Sequence, residues 1–164
     1  MSTPSSTVTV RPATPADSAL ILSFIRDLAE YEKLLDSVEA TDAHIAAALF
    51  GENPRAFADI AEADGEPVGF ALWFYNFSTF VGRHGIYLED LFVRPSARGA
   101  GAGKALLANL ARRCVEENLG RLEWSVLDWN APAIAFYDSL GAASMDEWVI
   151  RRMTGEALRK LAGI

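Results

Sequence analysis

The sequence is poor in cysteine, in histidine and in positive charge, and each shortage excludes something. Its one cysteine, Cys114, cannot close an internal disulfide, so a reducing compartment, the cytoplasm, is expected. The two histidines, His44 and His84, join no cluster with metal-ligand spacing, so no metal site is expected. Fifteen Lys and Arg against 22 Asp and Glu leave a formal charge of −7. That balance argues against nucleic acid and anionic membrane as partners, both of which need a basic surface, and suits a cationic small molecule. No apolar run approaches the ~18–20 residues of a membrane span; GFALWFY, Gly69 to Tyr75, is typical of the longest. The opening MSTPSST lacks a basic region followed by an apolar stretch. A signal peptide is therefore not expected, and residues 1–6 read as a disordered tail.

What remains is a 164-residue chain that is 51% hydrophobic and 23% charged, the balance of one folded domain over residues 7–164. Thr7 to Arg11 (TVTVR) reads as a strand, with a helix starting near Pro15. From Asp17 to Tyr31, Leu20, Ile21, Phe24, Ile25 and Leu28 recur at helical spacing. Thr41 caps a shorter helix, Ala43 to Phe50. Phe57 to Ala63 and Pro67 to Phe77 flank the turn dipeptide Asp64-Gly65, a hairpin pattern. His84 to Val93 reads as a central strand ended by Pro95. A glycine-rich loop then leads into a helix over Ala105 to Asn118, with Cys114 on its packed face. Leu122 to Leu127, Pro132 to Leu140, Glu147 to Met153 and Thr154 to Leu161 read as strand, helix, strand and helix. The pattern is open α/β.

Arg98-Gly99-Ala100-Gly101-Ala102-Gly103-Lys104 carries the clearest chemistry. Glycines let the backbone approach an anion, and the first turn of a helix points unpaired N–H groups at it along the positive end of the dipole. A Walker loop would need glycine in place of Arg98 and Ser or Thr in place of Ala105. A dinucleotide fingerprint would need glycine in place of Lys104. Both fail, so the loop is expected to hold phosphate by another arrangement.

Arg98 to Gly103 has the R/Q-x-x-G-x-G/A form of the acyl-CoA pyrophosphate loop of the GCN5-related N-acetyltransferase (GNAT) superfamily, which it resembles. VRPAT near the start, Tyr31-Glu32, FSTF at 77–80, YLEDLFV at 87–93, LDWNAPAIAFYDSLGA at 127–142 and EALRKLAG near the end resemble the diamine (spermidine/spermine) acetyltransferases, and the thialysine acetyltransferase branch more closely. This resemblance implies a GNAT fold, a mixed central sheet of about six to seven strands flanked by helices on both faces. It also implies acetyl-CoA as co-substrate, a primary amine on a small diamine, polyamine or lysine-like acceptor, and a homodimer. The segment from Gly141 to Trp148 is shorter than in the animal polyamine enzymes, a departure that falls where the choice of amine would be set.

Acetyl transfer from a thioester needs a neutral amine, a stabilised oxyanion and a protonated leaving thiolate. A free alkylamine, with a pKa of about 10.4, arrives as ammonium, so a carboxylate must attract it and accept its proton. Glu89, at the end of the central strand, fits that role by resemblance; from spacing alone it is equally a partner for a nearby Arg or Lys. Tyr137 is implied as the acid that protonates the thiolate, although its spacing from Ile134 also suits a packed aromatic. Backbone groups of Leu91, Phe92 and Val93 would meet the pantetheine and the acetyl carbonyl. The pyrophosphate would lie on Arg98, Gly99, Ala100, Gly101, Ala102, Gly103 and Lys104, with Asn130 and Ala133 beside the CoA arm. Tyr31, Glu32, Glu89, Asp90, Asp128 and Glu147 are the candidates for holding the amine. Two other readings stay open: acetylation of a protein lysine or N-terminus, and a non-catalytic acyl-CoA-binding protein.

Overall fold

A computed structural model describes residues 6–164. Of the expected tail, residues 1–5 lie outside the described residues and Ser6 is exposed. The chain divides into two compact units, one ending at Ser125 and the other running Val126–Ile164.

The N-terminal unit is built on a sheet in the order β1 (Val8–Pro12), β2 (Phe57–Ala63), β3 (Glu66–Ser78), β4 (Arg83–Val93) and β5 (Leu122–Trp124). The first three pairings are antiparallel and β4–β5 is parallel, so the sheet is mixed as expected. It has five strands among the described residues, where six to seven were expected. Asp64 and Gly65 both take positive φ, 53° and 83°, the left-handed geometry a two-residue hairpin requires.

Helices cover both faces of this sheet. On one face α1 (Ser18–Tyr31) and α2 (Asp42–Phe50) lay Ile21, Phe24, Ile45 and Leu49 on Ala58, Ile60, Phe70 and Phe92. The rings of Phe24 and Phe70 stack at 5.5 Å. Each such side chain contributes roughly 1.5–3 kcal/mol by leaving water. Arg11 bonds Asp17 at the foot of α1 and Glu62 on β2, and holds the Asp17 carboxyl down to about 2.

On the other face α3 (Ala102–Glu116) buries Leu106, Leu107, Leu110 and Cys114. Cys114 is thus a packing residue, its thiol pushed up by burial. The odd residues of β2 turn this way, and among them Asp59 is only 2% exposed. It accepts the indole N–H of Trp73 at 2.9 Å, and the Arg113 guanidinium of α3 lies 5.0 Å from the centre of that indole. Burial raises the Asp59 carboxyl above its ordinary value, partly offset by the indole bond and by Arg113. A buried acid thus links β2, β3 and α3.

The C-terminal unit holds α4 (Ala131–Ser139) and α5 (Gly155–Ala162). Two sequence expectations differ here. The strand expected over Leu122 to Leu127 stops at Trp124. The strand expected over Glu147 to Met153 has strand-forming residues but no ladder among the described residues. An extended segment becomes a strand only where a second backbone supplies the missing hydrogen bonds.

Removing Asp59 leaves the buried Trp73 N–H without its acceptor and takes a nearby negative charge from Arg113, which keeps its bond to Glu117. Asp59→Ala should cost about 2 kcal/mol of stability, measured by urea unfolding; a loss below about 0.5 kcal/mol would contradict this link.

Candidate active site

The site begins with an irregularity in β4. Leu72 of β3 pairs with Asp90 and the next residue, Trp73, pairs with Leu88, so Glu89 is the extra residue of a β-bulge. A bulge bends its strand, raises the local twist and re-aims the side chain it carries. It also exchanges the faces of the strand on its two sides. Leu88 lies across from Trp73 on the α3 face, whereas Phe92 lies across from Phe70 and packs with Phe24 of α1. Asp90, two residues before Phe92, therefore turns toward α1.

The pairing of β4 with β5 ends at the same point. Its last pair is Leu88 with Trp124, after which β4 runs on for Glu89–Val93 without a partner on that side among the described residues. The ladder thus ends at the bulge, where a strand bends and twists more strongly. The backbone of Leu91, Phe92 and Val93 is left without a strand partner on that side among the described residues. The Phe92 side chain itself is buried in the core, so only its backbone can serve a ligand.

Three carboxylates meet at the bulge. Burial chiefly, then the charges of Glu89 and Glu32, push Asp90 up to about 6. Glu32, just past the end of α1, is also raised, by burial. Glu89 itself is exposed. The cluster carries excess negative charge that a bound cation would relieve.

Beyond β4 the chain turns through Pro95 into the glycine loop. Gly99 and Gly101 have φ of 89° and 86°, and a Cβ placed on either would meet nothing within 4 Å. Glycine is needed there for backbone geometry, on a surface open to a ligand. Gly101 caps α3 with no side-chain acceptor, so the first-turn N–H groups of Ala102, Gly103 and Lys104 lack a capping side chain. Arg98 and Lys104 are both exposed. A cavity of about 560 Å³ lies between α1 and this connection, lined by Asp27, Glu30, Tyr31, Phe92, Arg94 and Arg98 among others.

The remaining candidates belong to the C-terminal unit. Asn130 caps α4, its side-chain oxygen accepting the N–H of Ala133 at 3.4 Å. Tyr137 is half-buried in the same helix, with its ring 5.6 Å from that of Phe136. Asp128 and Glu147 are exposed in turns at either side of α4.

An acetyltransferase (GNAT) family model matches residues 22–142. The chain belongs to that family and is an N-acetyltransferase. It is similar to the thialysine N-epsilon-acetyltransferase of Sus scrofa, 41% identical over 95% of this chain and 98% of that protein. It is also similar to an L-ornithine N5-acetyltransferase of Arabidopsis thaliana, 30% identical over 93% of this chain and 86% of that protein. Among solved structures it matches an integron cassette protein from the mobile metagenome of V. cholerae, at a TM-score of 0.77 and 30% identity, covering 94% of this chain and 97% of that one.

Within the N-terminal unit the fold of this GNAT acetyltransferase brings Glu32, Glu89 and Asp90 together, and Tyr31 beside Arg98, whose guanidinium carbon lies 5.2 Å from the centre of its ring. The sequence reading missed Arg94, which lies 4.7 Å over the Phe24 ring and near Asp27. Its spacing of four from Arg98 was visible; the aromatic partners, seven apart on α1, were not connected to it.

The raised carboxyl of Asp90 has a definite consequence for stability. Its folded value lies above the unfolded value near 3.9, so the native state holds this proton more tightly. Stability is lost as pH rises from about 4 through 6, where Asp90 ionises. Asp90→Asn should therefore be more stable than the parent by about 2 kcal/mol at pH 7.5 and nearly equal at pH 4. Denaturant unfolding at the two pH values measures this, and a gap independent of pH would contradict it.

Proposed function

We propose that this GNAT acetyltransferase uses acetyl-CoA to acetylate the primary amine of a small diamine, polyamine or lysine-like acceptor, within one domain spanning residues 7–164. The observation that carries the reading is the bulge, which sets Glu89 beside Asp90 and Glu32 at the open edge of β4. An alkylammonium suits three carboxylates, one of them ionising reluctantly; a bound cation lowers the cost of that ionisation. The names of the relatives point to amino acids with a distal amine, thialysine and ornithine.

The anionic cofactor calls for the opposite chemistry, and the glycine loop fits it. The uncapped N-terminus of α3, the open surface at Gly99 and Gly101, and the exposed Arg98 and Lys104 would together receive the pyrophosphate. Asn130 and Ala133 at the start of α4 are assigned to the CoA arm. Acetyl-CoA, when bound, supplies the activated acetyl group. Glu89 takes the proton of the ammonium, directly or through water, so that the nitrogen lone pair can form the amide bond. N–H groups of the unpaired β4 edge would meet the carbonyl oxygen. Tyr137 returns a proton to the departing sulfur. Tyr31, Asp128 and Glu147 complete the proposed acceptor contacts.

A homodimer is part of the proposal. Trp148, Val149 and Ile150 are each more than 70% exposed in the single chain, in the segment expected to be a strand and lacking a ladder. Exposed consecutive apolar residues of this kind suit cover by a second copy. A reducing cytoplasm accords with the lone buried thiol of Cys114.

Thiol release across a panel of small amines and lysine peptides tests the reading. Small diamines and lysine-like amines should give the higher kcat/KM; turnover with peptides alone would overturn it. Tyr137→Phe should lower kcat by about 10²-fold with acetyl-CoA affinity preserved, and parental kcat in that variant would remove Tyr137 from the mechanism. Gly101→Val forces a β-branched residue to positive φ, a strain of about 1–2 kcal/mol, and should weaken acetyl-CoA binding by calorimetry.

A further inference from the structure

The last residue of α1 and the residue after it point to different parts of the site. Glu32 acts on Asp90 in the acid cluster, whereas Tyr31 lies against Arg98 of the cofactor loop. Arg98 is held in two ways: its Nε donates to the Val93 carbonyl at 3.3 Å, and its guanidinium carbon lies over the Tyr31 ring, 5.2 Å from the centroid. Of the guanidinium donors, the hydrogen bond to Val93 uses Nε alone. The remaining donors, on the two terminal nitrogens, lie in its plane and suit a fork-like approach to phosphate oxygens. The contacts with Tyr31 and Val93 are thus compatible with phosphate binding, because the hydrogen bond they include uses only Nε.

An exposed arginine without such support must lose rotamer freedom when it binds, which weakens binding. The neighbouring Arg94 repeats the arrangement two helical turns back, over Phe24. Two guanidinium groups thus tie the β4–α3 connection to one face of α1, the first on a buried ring and the second on a ring 39% exposed.

We propose that Tyr31 is a positioning residue for the cofactor loop: its ring pre-orders the Arg98 guanidinium so that the terminal nitrogens present to the pyrophosphate of acetyl-CoA. This gives Tyr31 a task beyond contact with the amine. The inference rests on the glycine loop being the pyrophosphate site.

Calorimetric titration of the full chain with acetyl-CoA, in the absence of any amine, tests it. Tyr31→Leu should weaken binding about threefold to tenfold, within the range of a partly exposed cation–π contact. Tyr31→Phe keeps the ring and should stay within about twofold of the parent. In an Arg98→Met background, adding Tyr31→Leu should change the affinity by less than about twofold, because the interaction it removes is already gone. An unchanged affinity in Tyr31→Leu, or the same loss with and without Arg98, overturns the proposal. Failure of the parent protein to bind acetyl-CoA overturns the reading of the loop instead.

Discussion

A single inserted residue in β4 organises the N-terminal unit. With regular pairing, Leu88, Asp90 and Phe92 would all turn to one face of the sheet, because side chains alternate with a period of two. The bulge at Glu89 separates them: Leu88 goes with Trp73 toward α3, and Asp90 goes with Phe92 toward α1. Both cores are filled by one strand, and an acid is brought to the end of α1, where Glu32 adds to its burden. The same local twist coincides with the end of the β4–β5 ladder. The unpaired edge of β4 and the candidate base therefore begin at the same residue.

The electrostatics follow from local geometry more than from the net charge of −7. The acids at the bulge are Glu32, Glu89 and Asp90, while the loop five residues beyond β4 turns uncapped backbone N–H groups and Arg98 outward. An acidic protein can offer an anion site in this way, since helix N-termini and guanidinium groups act over short distances and the distant surface charge is screened. The proposed reaction needs both environments, one for an ammonium and one for a pyrophosphate.

Much of this was legible in the sequence. The Asp64-Gly65 hairpin, the periodic helices α1 and α3, the glycine loop and the packing role of Cys114 each follow from local rules of turn chemistry and spacing. The bulge was not legible: YLEDLFV contains no glycine or proline to mark an irregularity, and its position is set by pairing with β3 across the sheet. The shortening of β5 and the missing ladder over Glu147 to Met153 have the same origin, because strand propensity describes a segment and a ladder requires a partner. The arginine contacts with the rings of Phe24 and Tyr31 join residues more than sixty positions apart, beyond the reach of any periodicity. The family resemblance supplied roles for Glu89 and Tyr137 that residue spacing alone left open.

The central claim is that the bulge presents Glu89 as the base for an ammonium acceptor. The pH dependence of kcat/KM for a small amine substrate, compared between the parent and Glu89→Gln, tests it most directly. The account predicts a loss of about 10²-fold or more at neutral pH, which lessens at high pH as the amine arrives already neutral. A Glu89→Gln enzyme with the parental value and the parental pH profile would contradict it.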